Sequence, residues 1–140
     1  MRLARRLLLA LWAGLLLSVG ALLAPTLFAI LANRIVAGRI AAELFRRTTF
    51  LSIVLALAIL ALGWAEAPVR SLGRRLLPLT PAALLALSEF GVRPFLEAAR
   101  QADGPASTAF VAWHGVSAVI FVLAMLSAIG LLVEELRRPA

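Results

Sequence analysis

Phe110 to Val133 is a run of 24 residues without a formal charge at neutral pH. About 20 residues rising about 1.5 Å each match a hydrocarbon core of roughly 30 Å, so this run is long enough for one membrane crossing. Its opening, Phe110-Val111-Ala112-Trp113-His114-Gly115-Val116-Ser117, holds the sole histidine of the chain. Ser117 follows His114 at i+3 on the same helical face, with Gly115 beside them. The rest of the chain reads as helices packed around this one.

Composition points the same way. Hydrophobic residues make up 63% of the 140 and charged residues only 15%, with a mean hydropathy of +1.01. Such a chain cannot cover a folded surface with polar groups as water requires. The net charge is +7 and every basic residue is arginine. The arginines sit in short clusters at the ends of apolar runs, where long cationic side chains reach headgroups and set topology. That placement argues for a lipid bilayer as the partner and against nucleic acid. The absence of cysteine excludes disulfides and thiolate metal sites.

Three further apolar runs precede the first described, and with it they predict a single all-α domain, 1–140. Its crossings are expected over about 7–32, 49–66, 74–96 and 108–133. Arg2, Arg5 and Arg6 before an apolar core also fit a secretory signal peptide, with Ser18 and Gly20 at cleavage spacing. The run continues well past that point, so an uncleaved first crossing is expected. Ala10, Gly14 and Ser18 recur every four residues as a small-residue ridge that admits a close neighbour. Pro25 is expected to kink this helix.

Over about 34–47, Arg39, Glu43 and Arg47 are spaced at i, i+4, opposite Ile40, Ala41, Leu44 and Phe45. That pattern predicts an amphipathic interfacial helix between the first and second crossings. Trp64 suits a headgroup-level anchor, and Pro68 to Arg75 reads as a tight basic connection. In the third crossing Pro78 and Pro81 fall near the start, where the first N–H groups lack partners anyway, and Pro94 is expected to bend or end the helix, with a re-entrant or two-piece helix as the alternative. Asp103-Gly104-Pro105 marks an exposed turn.

Four crossings place both termini on one side. Arg2, Arg5, Arg6, Arg70, Arg74, Arg75, Arg137 and Arg138 fall there, against Arg34, Arg39, Arg46, Arg47, Arg93 and Arg100 opposite. The excess favours cytoplasmic termini in a bacterial inner membrane.

The candidate polar site is Glu89, Arg93, His114 and Ser117. An unpaired carboxylate in hydrocarbon costs on the order of 2.5 kcal/mol or more, so Glu89 requires a partner. Arg93 is the local one. His114, at similar depth on the next helix, is the expected tertiary one, and a Glu89–His114 contact would bind or relay a proton or simply fix packing. Glu89, Arg93, Glu97 and Arg100 also form an alternating-sign ladder. No catalytic, cofactor-binding or metal residue is assigned. One histidine without cysteine cannot build a conventional zinc or copper site. Met125, about 16 Å along the same helix, cannot share a haem iron with His114.

Ala24-Pro25-Thr26-Leu27-Phe28, Ala37-Gly38-Arg39-Ile40 and Leu44-Phe45-Arg46-Arg47 resemble the start of the transmembrane-protein-205-like family of small bacterial membrane proteins. The resemblance continues through Val92-Arg93-Pro94-Phe95, Arg100, Phe110 and His114-Gly115-Val116-Ser117. It implies a four-helix membrane fold and no established enzymatic activity. A vertebrate relative's link to platinum-drug resistance points to export through sulfur-bearing residues. With no cysteine, and only Met1 and Met125, that account does not transfer.

Three function classes follow, in order. The first is a non-enzymatic membrane protein with a structural or partner-binding role, packing as a homo-oligomer or with another membrane protein. The second is a small oligomeric transporter or efflux component. The third is a membrane enzyme or redox subunit using Glu89 and His114.

Overall fold

The computed structural model describes residues 2–65, 73 and 76–137. All its described secondary structure is helical and falls into four rods. The first joins α1 (Arg2–Leu17), a π-helical turn (Ser18–Leu23) and α2 (Ala24–Ile30). The second is α3 (Arg34–Ala65). The third joins α4 (Leu79–Ala86), a second π-helical turn (Leu87–Val92) and α5 (Arg93–Asp103). The fourth is α6 (Thr108–Leu136). The expected basic connection with Arg70, Arg74 and Arg75 lies outside the described residues, as does Arg138.

Side-chain pairs set the directions. Arg5 meets Glu135, Trp12 meets Ser52, and Ser88 meets Ser117, so chain neighbours run antiparallel. α1 packs on α3 and α6, and α4 packs on the same two, which forms a ring with α1 and α4 on opposite corners. The two described ends of the chain therefore lie at one end of the bundle, with Asn33 and the α5–α6 turn at the other.

Local chemistry explains the boundaries. Asn33 Oδ1 accepts the backbone N–H groups of Ile35 and Val36 at 3.0 and 3.2 Å and so starts α3. Ser107 Oγ accepts the Phe110 N–H at 3.2 Å and starts α6. Gly104, with φ of 81°, ends α5 in a conformation that side chains with a Cβ rarely adopt. The turn expected at Asp103-Gly104-Pro105 is there.

The segment expected as a separate interfacial helix over 34–47 is instead the first part of α3. Its buried positions, Ala37, Ala41, Thr48, Ser52, Leu55 and Ile59, follow at spacings of three, four or seven residues along one face. Nothing between Arg47 and Phe50 breaks that stripe. Thr49 Oγ1 donates to the Phe45 carbonyl four residues back at 3.0 Å, which lets a hydroxyl remain inside a helix. Thirty-two residues give a rod of about 48 Å.

Neither Pro25 nor Pro94 ends its helix. Each follows a π-helical turn, and the residue before each proline donates to a carbonyl five residues back: Ala24 to Val19 and Arg93 to Ser88. A proline has no N–H to give and its ring crowds the carbonyl four residues earlier. The wider π turn moves that carbonyl away, so both rods continue to Ile30 and Asp103.

The core is Leu9, Trp12 and Leu16 from α1, Leu55, Ala56 and Ile59 from α3, Ala82 and Leu85 from α4, and Ala124 and Ala128 from α6. The alanines bring backbones together where no hydrophobic drive between helices operates in lipid. Outward positions carry large apolar side chains, among them Leu7, Leu11, Val54, Leu57, Val119 and Leu126. Three helices, Leu3–Ile30, Arg34–Trp64 and Thr108–Leu136, are long and apolar enough to cross a membrane. With an apolar belt of this extent, they mark a membrane protein.

One close approach fixes the middle of the bundle. A Cβ added at Gly20 would sit 2.5 Å from Cε1 of Phe121, whose ring is met edge-on by Phe45 at 4.8 Å. Gly20→Ala is therefore expected to cost about 1–3 kcal/mol by overpacking, more than the gain of up to about 1 kcal/mol from removing a helical glycine. Gly130→Ala, with nothing within 4 Å, is expected to leave the thermal midpoint unchanged or slightly raised. Equal midpoints for the two variants in detergent would show that the Phe121 ring can retreat.

Candidate functional site at the polar end of the bundle

The second π-helical turn, the start of α5 and the opening of α6 carry the four expected site residues, which do not form one cluster: Ser117 is engaged by Ser88, Glu89 by Arg93, and His114 by neither pair. Ser117 Oγ lies 2.7 Å from Ser88 Oγ, tying α6 to the π turn by a hydrogen bond in which either hydroxyl can donate. Glu89, on the same turn, is held by Arg93 of its own rod, a part-buried ion pair at i, i+4.

The expected Glu89–His114 contact is not formed. No hydrogen bond or ion pair joins them among the described residues. His114 is exposed, and its ring stacks on Phe110 with centroids 5.9 Å apart and planes 6° apart. The reason is rotational. Similar depth on neighbouring helices is not enough, because each residue turns a helix by about 100°. On α6, Ser117 is half-buried against Ser88, and His114, about 60° further round the same side, is already exposed.

The α5–α6 hairpin is closed by aromatic and cationic contacts. Phe95 stacks on Trp113 with centroids 4.9 Å apart. Arg100 lies over the Phe110 ring at 5.2 Å and is 3.7 Å from Glu97. The alternating-sign ladder thus resolves into Glu89–Arg93 and Glu97–Arg100. Each charged group has a local partner, an arrangement that satisfies charges and fixes the hairpin angle. Among the described residues no group of three or more His, Asp or Glu could hold a metal ion.

At the opposite end lies a pair that the sequence reading did not single out. Arg5 Nε and Glu135 Oε2 are 3.4 Å apart, with side chains only 6% and 3% exposed. The Arg5 guanidinium also lies against α3, 3.5 Å from where a Cβ on Gly63 would stand. A signal existed. Arg5, Leu9, Trp12, Leu16 and Val19 form one buried stripe, so Arg5 occupies a core position rather than the headgroup-facing place expected of it. Ala124, Ala128 and Glu135 do the same on α6.

A family model described as a domain of unknown function, DUF4149, matches residues 7–105. The chain belongs to that family. The match spans the first three rods and ends at the α5–α6 turn, so Glu89 and Arg93 fall inside it and His114 and Ser117 beyond it. No curated protein and no solved structure matches the chain.

Proposed function

We propose that this DUF4149 protein is a non-enzymatic, four-crossing protein of a bacterial inner membrane that acts by packing against a second copy of itself. Its motifs support placing it with the transmembrane-protein-205-like proteins, and the arginine distribution supports cytoplasmic termini. The pairing at the polar end supports a structural role for Glu89, Arg93 and Ser117, since each is engaged by a neighbour.

The observation that carries the reading is the small-residue ridge. Ala10, Gly14 and Ser18 all face outward on the first rod, and no atom lies within 4 Å of a Cβ placed on Gly14. The bundle's own packing does not use the ridge. In lipid, small residues at i, i+4, i+8 allow backbones to approach closely, and dispersion contacts then favour association.

The absence of cysteine makes the test direct. Ser18→Cys is expected to give a disulfide-linked dimer in oxidised membranes, and adding Gly14→Ile is expected to remove most of it. Absence of the cross-link, together with a monomer in detergent, would overturn self-packing.

A further inference from the structure

We propose that the seam between α3 and the third rod, just on the side of the bundle's middle away from the termini, binds one anionic phospholipid. The proposal rests on the membrane reading and adds to it a site with defined chemistry. Two tiers of side chain meet there. The deeper tier is Phe50 of α3 and Phe90 of the second π turn, edge to face with centroids 6.2 Å apart, both exposed.

The upper tier is cationic. Arg46 and Arg47 lie one turn from Phe50, and Arg93 lies one turn from Phe90, all toward the same end. Glu43 stands between the two α3 arginines and engages both through Nε, at 3.4 Å from Arg46 and 2.8 Å from Arg47. A guanidinium has five N–H donors, so this leaves the Nη groups of each for another acceptor. Those side chains are 49% and 78% exposed. Arg39, exposed and one turn further along the same face, continues the row. Arg93 is close enough to act electrostatically on Glu43, which brings the third rod into the same charged group. Among the described residues, the ion pairs here set Arg46, Arg47 and Arg93, with Arg39 beyond them, against Glu43 and Glu89, so positive charge is in excess.

An anionic phospholipid answers both tiers at once. Guanidinium forks match phosphate oxygens, and the acyl chains attached to that phosphate run down past Phe50 and Phe90. A free phosphate would satisfy the upper tier alone. A zwitterionic lipid carries its own cation and leaves the excess charge unanswered.

The test measures phosphatidylglycerol, phosphatidylcholine and inorganic phosphate binding to the detergent-purified full chain by native mass spectrometry and thermal shift. Phosphatidylglycerol is expected to bind in preference to phosphatidylcholine, and inorganic phosphate is expected not to displace it. Arg46→Gln with Arg47→Gln is expected to raise its apparent Kd about 30-fold, from two surface arginines near an anionic lipid. Arg137→Gln, at the other end, is expected to leave the Kd unchanged. Glu43→Gln is expected to tighten binding several-fold, and it serves as the independent readout if the double variant does not fold.

Equal binding of phosphatidylcholine, displacement by inorganic phosphate, or an unchanged Kd in the double variant would each overturn the site. So would weaker binding by Glu43→Gln. Membrane residence is scored separately by resistance to carbonate extraction. A chain that stays in the membrane but shows no lipid preference defeats the site and leaves the membrane reading standing.

Discussion

Glu135→Ala is expected to destabilise the protein by about 3–5 kcal/mol, although Glu135 lies near the end of the last described helix. The carboxylate and its partner Arg5 are almost completely buried, 3.4 Å apart, where the start of α1, the end of α3 and the end of α6 converge. Truncating Glu135 strips the buried Arg5 guanidinium of this carboxylate, at a place where both side chains are almost fully covered. Removing both charges together, as Arg5→Met with Glu135→Met, is expected to recover most of the loss, because well-packed apolar groups replace a buried pair with little net penalty. Glu43→Ala provides the contrast. Its pairs with Arg46 and Arg47 are exposed, where solvent screening leaves such pairs little net worth. Reversible unfolding in mixed micelles measures all three. A Glu135→Ala loss no larger than that of Glu43→Ala would mean that solvent enters the pair.

The same pair shows where the sequence was legible and where it was not. Apolar runs of membrane length located three of the four rods as candidate crossings, the third rod not being among them, and the expected last crossing over about 108–133 lies within Thr108–Leu136. Antiparallel rods brought the two described chain ends together, as charge-separated apolar runs imply. What a linear reading could not supply was rotation about each helix axis. Arg5 reads as one of three headgroup arginines until it is set on the stripe with Leu9, Trp12 and Leu16. Glu89 and His114 share a depth, but the face on which each lies separates them.

Helix continuity was the other limit. Polar residues at 46–49 look like a boundary between an interfacial helix and a crossing. Buried Thr48 and Ser52 nevertheless continue the inward stripe of α3, so the hydroxyls mark its core face. Pro25 looks like a kink and Pro94 like a bend or an end, and the π turn before each moves away the carbonyl that its ring would crowd. In each case the local signal was real and a second local adjustment offset it. A propensity argument that treats one residue at a time does not include that adjustment.

Trp12→Ala is expected to cost about 3 kcal/mol or more, from a different source than Glu135→Ala. Trp12 is fully buried between Leu9, Leu16, Leu55 and Ile59, and its Nε1–H donates to Ser52 Oγ at 2.9 Å. In lipid the unfolded helix already sits in hydrocarbon, so little of the cost is transfer from water. The loss is the dispersion contacts of the indole and the cavity it leaves, which places the value toward the low end of the usual range of about 3–5 kcal/mol. The hydrogen bond can be separated from the packing. Ser52→Ala leaves a buried N–H without its acceptor and is expected to cost about 1–3 kcal/mol. Trp12→Phe keeps most of the ring, and the Ser52 hydroxyl can turn back to a carbonyl of its own helix, so a smaller loss is expected. The order Trp12→Ala, then Ser52→Ala, then Trp12→Phe is the signature of an indole held by both packing and its N–H. A neutral Ser52→Ala beside a costly Trp12→Phe would reverse that assignment and leave packing alone as what fixes Trp12 between α1 and α3.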